Sequence, residues 1–267
     1  MAADFQIIGG GLIGLSTAYA LLLRGAGQVR VLETREGVAL ETSYANAGMV
    51  HASLAAPWNA PGIGTALLKH MLGSGASMKL KLSALPQLAG WGHKFLRGSQ
   101  QGRYWQAAQS NYRLAEYSLK INRQWRETLA VEDDYTGDGL LKLFRTQKEY
   151  ARAKELNQRL EDLGIETHSL DAQGAVRKEA ALAPAEASIA GALYYPHDFK
   201  ADAYRFCQAL EQAIRALGGQ IVTGARVNGF IKDGPKIIGV KTDAREYLSK
   251  MTIVANGAHS YQLMSML

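Results

Sequence analysis

The sequence predicts an α/β protein: a parallel-stranded sheet flanked by helices and interrupted by a long inserted α+β region. Three observations lead there. Residues 4–33 read as strand, glycine turn, helix and strand, a βαβ unit whose two strands must run parallel because a crossover helix joins them. A further helix followed by short strands returns between residues 202 and 255. Residues 63–202 hold long helical periodicities and only scattered strands, which marks them as an insertion between the two sheet-forming parts.

The elements follow in order. Residues 4–8 alternate and then run apolar into glycines, predicting a strand; residues 12–24, rich in Leu and Ala and closed by Gly25 and Gly27, predict a helix. Residues 29–33 form a short apolar strand with an acid at its end. Residues 41–61 are rich in small residues, Asn and Pro, and predict an ordered loop of a length that compact domains reserve for function. Helical spacing returns over 85–96 and over 104–129, where Leu114, Tyr117, Ile121 and Trp125 recur at three- and four-residue steps as the apolar stripe. A strand at 140–144, a charged helix at 147–163 stopped by Gly164, and a strand at 189–195 come next. The helix at 202–217 opens on an acid and stops at Gly218-Gly219, and strands are expected at 220–222, 226–232, 236–242 and 251–255.

Bulk properties set limits. A chain of 267 residues, 47% of them hydrophobic, can bury a substantial core. The single cysteine, Cys207, excludes an intrachain disulfide and any zinc site built on paired cysteines, and no metal site is expected. The N-terminus enters a strand directly, without the basic and apolar regions of an export signal, and the most apolar run, residues 14–23, is shorter than the roughly 20 residues of a membrane-spanning helix. Net charge is +6, and its distribution is uneven: residues 61–125 hold nine Lys or Arg (Lys69, Lys79, Lys81, Lys94, Arg97, Arg103, Arg113, Lys120, Arg123) against one acid, Glu116. Trp91, Phe95, Tyr104 and Trp105 lie among these cations, a mixture that suits an anionic lipid surface better than a base-reading groove; a solvated helical face over core aromatics has the same composition.

The sharpest local signal is Gly9-Gly10-Gly11-Leu12-Ile13-Gly14 at the strand-to-helix turn after Ile8. In a G-x-G-x-x-G turn, Gly9 permits the tight turn, Gly11 lets a pyrophosphate approach the backbone, and Gly14 lets helix and strand pack closely. The helix N-terminus then presents free N–H groups and the positive end of its dipole to phosphate. Glu33 follows at the end of the next strand, where a carboxylate accepts from ribose hydroxyls and repels a 2′-phosphate, which argues against NADP. NAD and FAD share the ADP moiety and are not separated by this pattern.

A longer string carries a resemblance. Leu40-Glu41-Thr42-Ser43-Tyr44-Ala45-Asn46-Ala47-Gly48 followed by Ala55-Ala56-Pro57-Trp58-Asn59-Ala60-Pro61-Gly62 resembles the flavin-contacting loop of the bacterial D-amino acid dehydrogenases, within the wider group of D-amino acid oxidase and glycine oxidase-like flavoproteins. Arg113-Leu114-Ala115-Glu116-Tyr117-Ser118, Leu143-Phe144-Arg145-Thr146 and Gly239-Val240-Lys241 are similar to the same family, so the likeness runs along nearly the whole chain.

The resemblance implies a Rossmann-like FAD-binding domain formed by residues 1–62 and 203–267, with 63–202 holding a helical insertion and part of a substrate domain. It implies non-covalent FAD and oxidative deamination of D-amino acids, such as D-alanine, to 2-oxo acids and ammonia, with electrons passed to a quinone or a dye-type acceptor. Nucleic acid is not an expected partner. Placement at the cytoplasmic face of the inner membrane, as a peripheral protein, or in the cytoplasm is expected. Beyond Ile8, the six motif residues and Glu33, the resemblance adds Thr42, Ser43, Asn46, Ala47 and Gly48 along the flavin, Val227 beside the adenine, and Ala255 and Gly257 at a second strand end next to the cofactor. Family members are longer, so the chain is expected to be incomplete at its C-terminus and its catalytic residues stay unknown. An inactive FAD- or ADP-binding fragment and an oxygen-using amine oxidase of the glycine or sarcosine oxidase type are the alternatives. His51 departs from the family string; it suits flavin attachment, proton acceptance or an ordinary loop, and His197 is not expected to be catalytic.

Overall fold

The computed structural model describes residues 2–65, 85–132 and 139–267. Lys69, Lys79 and Lys81 of the basic stretch lie outside the described residues. The chain divides into two compact units, one of Met1–Met49, Arg123–Thr136 and Lys200–Leu267, the other of Val50–Asn122 and Gly137–Phe199. The short strands β3 (Met49–Val50) and β7 (Phe199–Lys200) lie where the chain passes from one unit to the other.

The first unit is built on β1 (Ala3–Ile8), β2 (Val29–Leu32), β8 (Gln220–Val222), β9 (Val227–Asp233), β10 (Lys236–Thr242) and β11 (Glu246–Val254), in the sheet order β8-β2-β1-β11-β10-β9. β1 is parallel to both neighbours, with Ile8 opposite Leu32 on one side and Val254 on the other. β11 serves two sheets' worth of pairing: Glu246 to Leu248 pair antiparallel with β10, and Ser249 to Val254 pair parallel with β1. This strand begins five residues earlier than the sequence suggests, because its first half alternates buried Tyr247 and Ser249 with exposed Glu246, Leu248 and Lys250.

α1 (Leu12–Leu23) and α6 (Ala203–Ala216) supply one face of the core. Leu15, Ala18 and Tyr19 pack with Ile7, Val29 and Val31 of the sheet and with Phe206, Leu210 and Ile214 of α6. The last three recur at the four-residue spacing of a helical stripe, and Asp202 caps that helix by accepting from the N–H groups of Tyr204 and Arg205. A second cluster joins Ile8 and Leu32 to Ala225, Val240, Tyr247 and Leu263. The parallel strands are thus covered on both sides, as a crossover topology requires. The α/β class expected from the sequence is the observed one.

The second unit contains β4 (Leu140–Phe144), β5 (His168–Leu170) and β6 (Gly191–Tyr195) as an antiparallel sheet with β6 in the centre. Around them in sequence are α2 (Leu85–Gly98), α3 (Gln101–Thr128), α4 (Gln147–Glu161), α5 (Ala172–Lys178) and a 3₁₀ segment, Ala180–Ser188. α4 starts at a capping box in which Thr146 accepts from the N–H of Glu149 and donates to its carboxylate.

The compact units are bounded differently from the expected domains. Residues 50–62 belong to the second unit, where the buried Asp198 carboxylate accepts from the N–H of Ala52 and the hydroxyl of Ser53. Residues 123–132 belong to the first, because Trp125, Leu129 and Val131 pack against its core and Trp125 meets Tyr19 edge-on at 4.9 Å. In α3 the buried stripe is Tyr104, Ala108, Tyr112 and Leu119, while Leu114 and Tyr117 are 65% and 58% exposed. Helical spacing identified the helix; of its predicted stripe Trp125 packs against a core and Ile121 is half-buried, whereas Leu114 and Tyr117 face outward.

Candidate functional site

The turn after β1 brings three backbones together. Gly9 has φ +110° and lies so close to Ala255 that an added Cβ would stand 2.5 Å from its carbonyl oxygen. Gly14 sits one turn into α1, where a Cβ would lie 1.9 Å from the carbonyl oxygen of Gly9. An added Cβ at Gly11 would meet only Ser43 Oγ, at 3.3 Å, so the chain there is open to an approaching group. Gly11 is also the N-terminal boundary of α1 and provides no side-chain cap, leaving that helix end to accept its partners from elsewhere.

Two side chains from the following segments close around this turn. Glu33, buried at the end of β2, accepts from Gly10 N–H at 2.7 Å and from Arg35 N–H at 2.8 Å. The Gly10 carbonyl accepts in turn from Ala39 N–H at 2.9 Å. A carboxylate has about four lone-pair directions, so Glu33 keeps accepting capacity for further hydroxyl groups. Ser43 Oγ accepts from Leu12 N–H at 3.1 Å, reaching the first residue of α1 from the 41–48 loop. Ile13 is exposed beside it.

The rest of that loop turns toward α6. Asn46 Oδ1 accepts from Gly48 N–H at 2.8 Å, a side-chain turn that leaves Gly48 at φ +63°. The Gly48 carbonyl accepts from Ala201 N–H at 2.8 Å, and the Tyr44 and Tyr204 rings meet edge-on at 5.0 Å. Between the loop and the start of α6 is a cavity of about 210 Å³, lined in part by Tyr44, Asn46, Gly48, Lys200 and Asp202. Thr42 and Ala47 are exposed along the same loop.

At the other predicted positions, Ala255 donates its N–H to Ile8 O at 2.9 Å and so abuts the glycine turn, while Gly257 takes φ +54° as a short 3₁₀ turn begins. Val227 opens β9 and packs on the cluster containing Ile8 and Leu32, close in sequence to Ala225, whose N–H donates to Glu33 O. Ile8, the glycine motif, Glu33, Ser43, Val227 and Ala255 therefore converge in the first unit. His51 falls in the second unit, and its Nδ1 is buried with no hydrogen-bond partner among the described residues. His197 is a half-exposed partner of Glu166, Nε2 to Oε2 2.9 Å, and Glu166 also holds His168. The described residues contain no cluster of His, Cys, Asp or Glu able to hold a metal ion.

These features fit the adenosine and pyrophosphate parts of a dinucleotide: a glycine-only crossing, an open approach at Gly11, a helix N-terminus, and an acid whose position is fixed by two backbone N–H groups. A model of the family described as FAD dependent oxidoreductase matches residues 4–267. The chain belongs to that FAD-dependent oxidoreductase family. It is 32% identical over 259 residues to a D-amino acid dehydrogenase of Rhizorhabdus wittichii, covering 97% of this chain and 62% of that protein. It is 34% identical over 255 residues to a D-amino acid dehydrogenase of Allorhizobium ampelinum, covering 95% of this chain and 60% of that one. The chain therefore spans about three fifths of the length of these relatives. Among solved structures, glycine oxidase from Bacillus cereus superposes with TM-score 0.65 at 22% identity, covering 98% of this chain and 57% of that one, which establishes a shared fold.

Within this FAD-dependent oxidoreductase fold, sequence reasoning missed Arg35, Glu41 and Asp198. Arg35 Nε donates to Glu41 Oε1 at 2.7 Å and Nη2 donates to the same oxygen. The signal for that pair was an acid at the head of the 41–48 loop, six residues from an arginine. Asp198 carried no signal, because its partners Ala52 and Ser53 are remote in sequence.

Proposed function

We propose that this chain forms the FAD-binding part of an enzyme that oxidatively deaminates D-amino acids to 2-oxo acids and ammonia and passes the electrons to a quinone or dye-type acceptor. The observation that carries the reading is identity of 32% and 34% to D-amino acid dehydrogenases over nearly the whole chain, with a glycine turn that has the open space such a cofactor needs. Bound FAD would supply the two-electron sink for hydride from the substrate Cα. The chain's own residues would do the holding. The residues from Gly9 to Gly14 and the N-terminus of α1 would receive the pyrophosphate, Glu33 the ribose, and Val227 the adenine edge. Thr42, Ser43, Asn46, Ala47 and Gly48, with Ala255 and Gly257, would bring small side chains and backbone N–H groups along the rest of the cofactor. The test is the visible absorption spectrum of the purified chain before and after anaerobic D-alanine, and again once an artificial electron acceptor is added to take the electrons from the flavin. A flavin band that bleaches supports the reading and shows that 267 residues suffice; peroxide formed in air favours an oxygen-using amine oxidase; a chain without flavin is a fragment that cannot perform the chemistry alone.

Peripheral contact with anionic lipid at the inner face of the cytoplasmic membrane is proposed for α2 and α3. No helix among the described residues is long and apolar enough to cross a membrane. Exposed Trp91 and Leu96 on α2 and Leu114 and Tyr117 on α3 share these helices with Lys94, Arg97, Arg103, Arg113 and Lys120. Apolar groups that insert beside cations that meet phosphate are the requirements of an interfacial surface. Reversing Lys94 and Arg97 of α2, together with Lys79 and Lys81 that precede it in sequence, to Glu is expected to abolish cosedimentation with anionic vesicles; unchanged cosedimentation would remove this proposal.

A further inference from the structure

The segment that leaves β2 meets the glycine turn and the helix after it at three points. Glu33 accepts from Gly10 N–H at 2.7 Å, Ala39 N–H donates to the Gly10 carbonyl at 2.9 Å, and Ser43 Oγ accepts from Leu12 N–H at 3.1 Å. The middle contact fixes a peptide plane. Gly10 C=O and Gly11 N–H belong to one trans peptide and point in opposite directions, so holding the carbonyl toward Ala39 turns the Gly11 N–H away from it. Gly11 is the position at which the turn is open to an approaching group.

Ala39 makes its contact from an unfavourable conformation. It is buried with φ +60°, the left-handed region that a side chain disfavours, and such a conformation persists only where its surroundings over-determine it. Arg35 and Glu41 stand on either side of it in sequence. Arg35 Nε donates to Glu41 Oε1 at 2.7 Å and Nη2 donates to the same oxygen. The Arg35 backbone is fixed as well, its N–H donating to Glu33 Oε1 at 2.8 Å and its carbonyl accepting from Gly224 N–H at 2.8 Å. The hydrogen bond from Arg35, then its charge, hold the Glu41 carboxyl below the usual carboxylate range, and His259 adds in the same sense, so the pair is ionised at neutral pH. Residues 35–41 are thereby closed into a loop with Ala39 inside it.

We propose that Arg35 and Glu41 are positioning residues for cofactor binding: their ion pair clasps the 35–41 loop, keeps Ala39 donating to Gly10, and so presets the Gly10–Gly11 peptide for the pyrophosphate. Both act through Ala39. This rests on the dinucleotide reading of the glycine turn and adds to it the residues that hold the turn ready.

Two measurements on the 267-residue chain, stripped of bound nucleotide, test this: isothermal titration with ADP, and hydrogen exchange of the peptide spanning Ala39 read by mass spectrometry. Glu41→Gln and Arg35→Gln should each weaken ADP binding by about threefold to fivefold, the upper end for a solvent-exposed ion pair, and should speed exchange at Ala39. The sign for Glu41 is diagnostic, because removing an acid that acted only through its charge would tighten binding of an anionic ligand. The double substitution should be about as weak as either single one, since the two residues form one clasp. ADP binding that is unchanged or tighter in Glu41→Gln, losses that add in the double variant, or weaker binding with Ala39 exchange unaltered would each overturn the clasp. The dinucleotide reading survives those outcomes as long as the unsubstituted chain binds ADP, whereas absence of ADP binding to that chain overturns both.

Discussion

Two glycines in two helices show how differently two regions of this chain use the same residue. In α1, a Cβ on Gly14 would lie 1.9 Å from a carbonyl oxygen of the preceding turn. In α2, a Cβ on Gly90 would meet nothing within 4 Å among the described residues. The first glycine is where the helix backbone touches the turn before it, the turn proposed to receive the pyrophosphate. The second costs α2 backbone entropy and exposes helical hydrogen bonds to water without any contact to offset it. Position relative to neighbouring backbone, not residue type or element type, decides what a glycine is for.

The harshest way to break that comparison is Gly14→Ala. Overpacking a site where the added carbon strikes backbone is expected to cost about 2–3 kcal/mol, the upper part of the range for such substitutions. The urea unfolding midpoint should fall and ADP binding should be lost with it. Stability within about 0.5 kcal/mol of the unsubstituted chain, the level of an ordinary surface change, would show that the helix can retreat from the turn.

A buried acid gives the second region its own fixed point. Asp198 is 2% exposed and satisfies the Ala52 N–H and the Ser53 hydroxyl. Asp198→Ala would leave both without their acceptor, at a cost of about 1–3 kcal/mol. Thermal unfolding should register that loss, and Ser53→Ala in the same background should recover part of it. Independence of the two substitutions would mean that Ser53 finds another partner. Cys207 offers a check on the core of the first region: burial pushes its thiol up to about 12. A thiol reagent at neutral pH should therefore react only in denaturant, and rapid labelling of the folded chain would contradict the packing of α6.

The contrast also explains what was legible in the sequence. The glycine turn and Glu33 were readable because spacing along one βαβ unit encodes backbone geometry directly. The strand and helix order was readable too, since β1 and β2 are short apolar runs while α1 and α6 bury residues at helical spacing. The exposed face of α3 was not: Leu114 and Tyr117 are as periodic as Tyr104, Ala108, Tyr112 and Leu119, and only the packed neighbours decide which stripe is inside. The first half of β11 escaped because Glu246 and Lys250 give it the look of a loop. Arg35 with Glu41 and Asp198 with Ser53 depend on where side chains end up, which no spacing rule specifies.

Ser43 tests whether the cradle needs side chains as well as glycines. Its hydroxyl accepts from the Leu12 N–H, one of the helix-end donors without a partner inside α1. Ser43→Ala should cost about 1 kcal/mol, as loss of a capping oxygen does, and should be milder once a phosphate occupies the helix end. Comparing unfolding midpoints with and without ADP measures this; a full loss in both states would mean that ligand and hydroxyl do not share that helix end.

The smallest effect carries the opposite sign. Gly90→Ala in α2 introduces a methyl group with no neighbour to strike among the described residues and removes unfolded-chain freedom, so it should stabilise by roughly 0.5–1 kcal/mol. A rise in the thermal midpoint would show that α2 is helical in solution and that its glycine has no packing duty. A fall would mean that something lies over Gly90 in solution, which would make this face of α2 a contact surface and move Gly90 into the same class as Gly14.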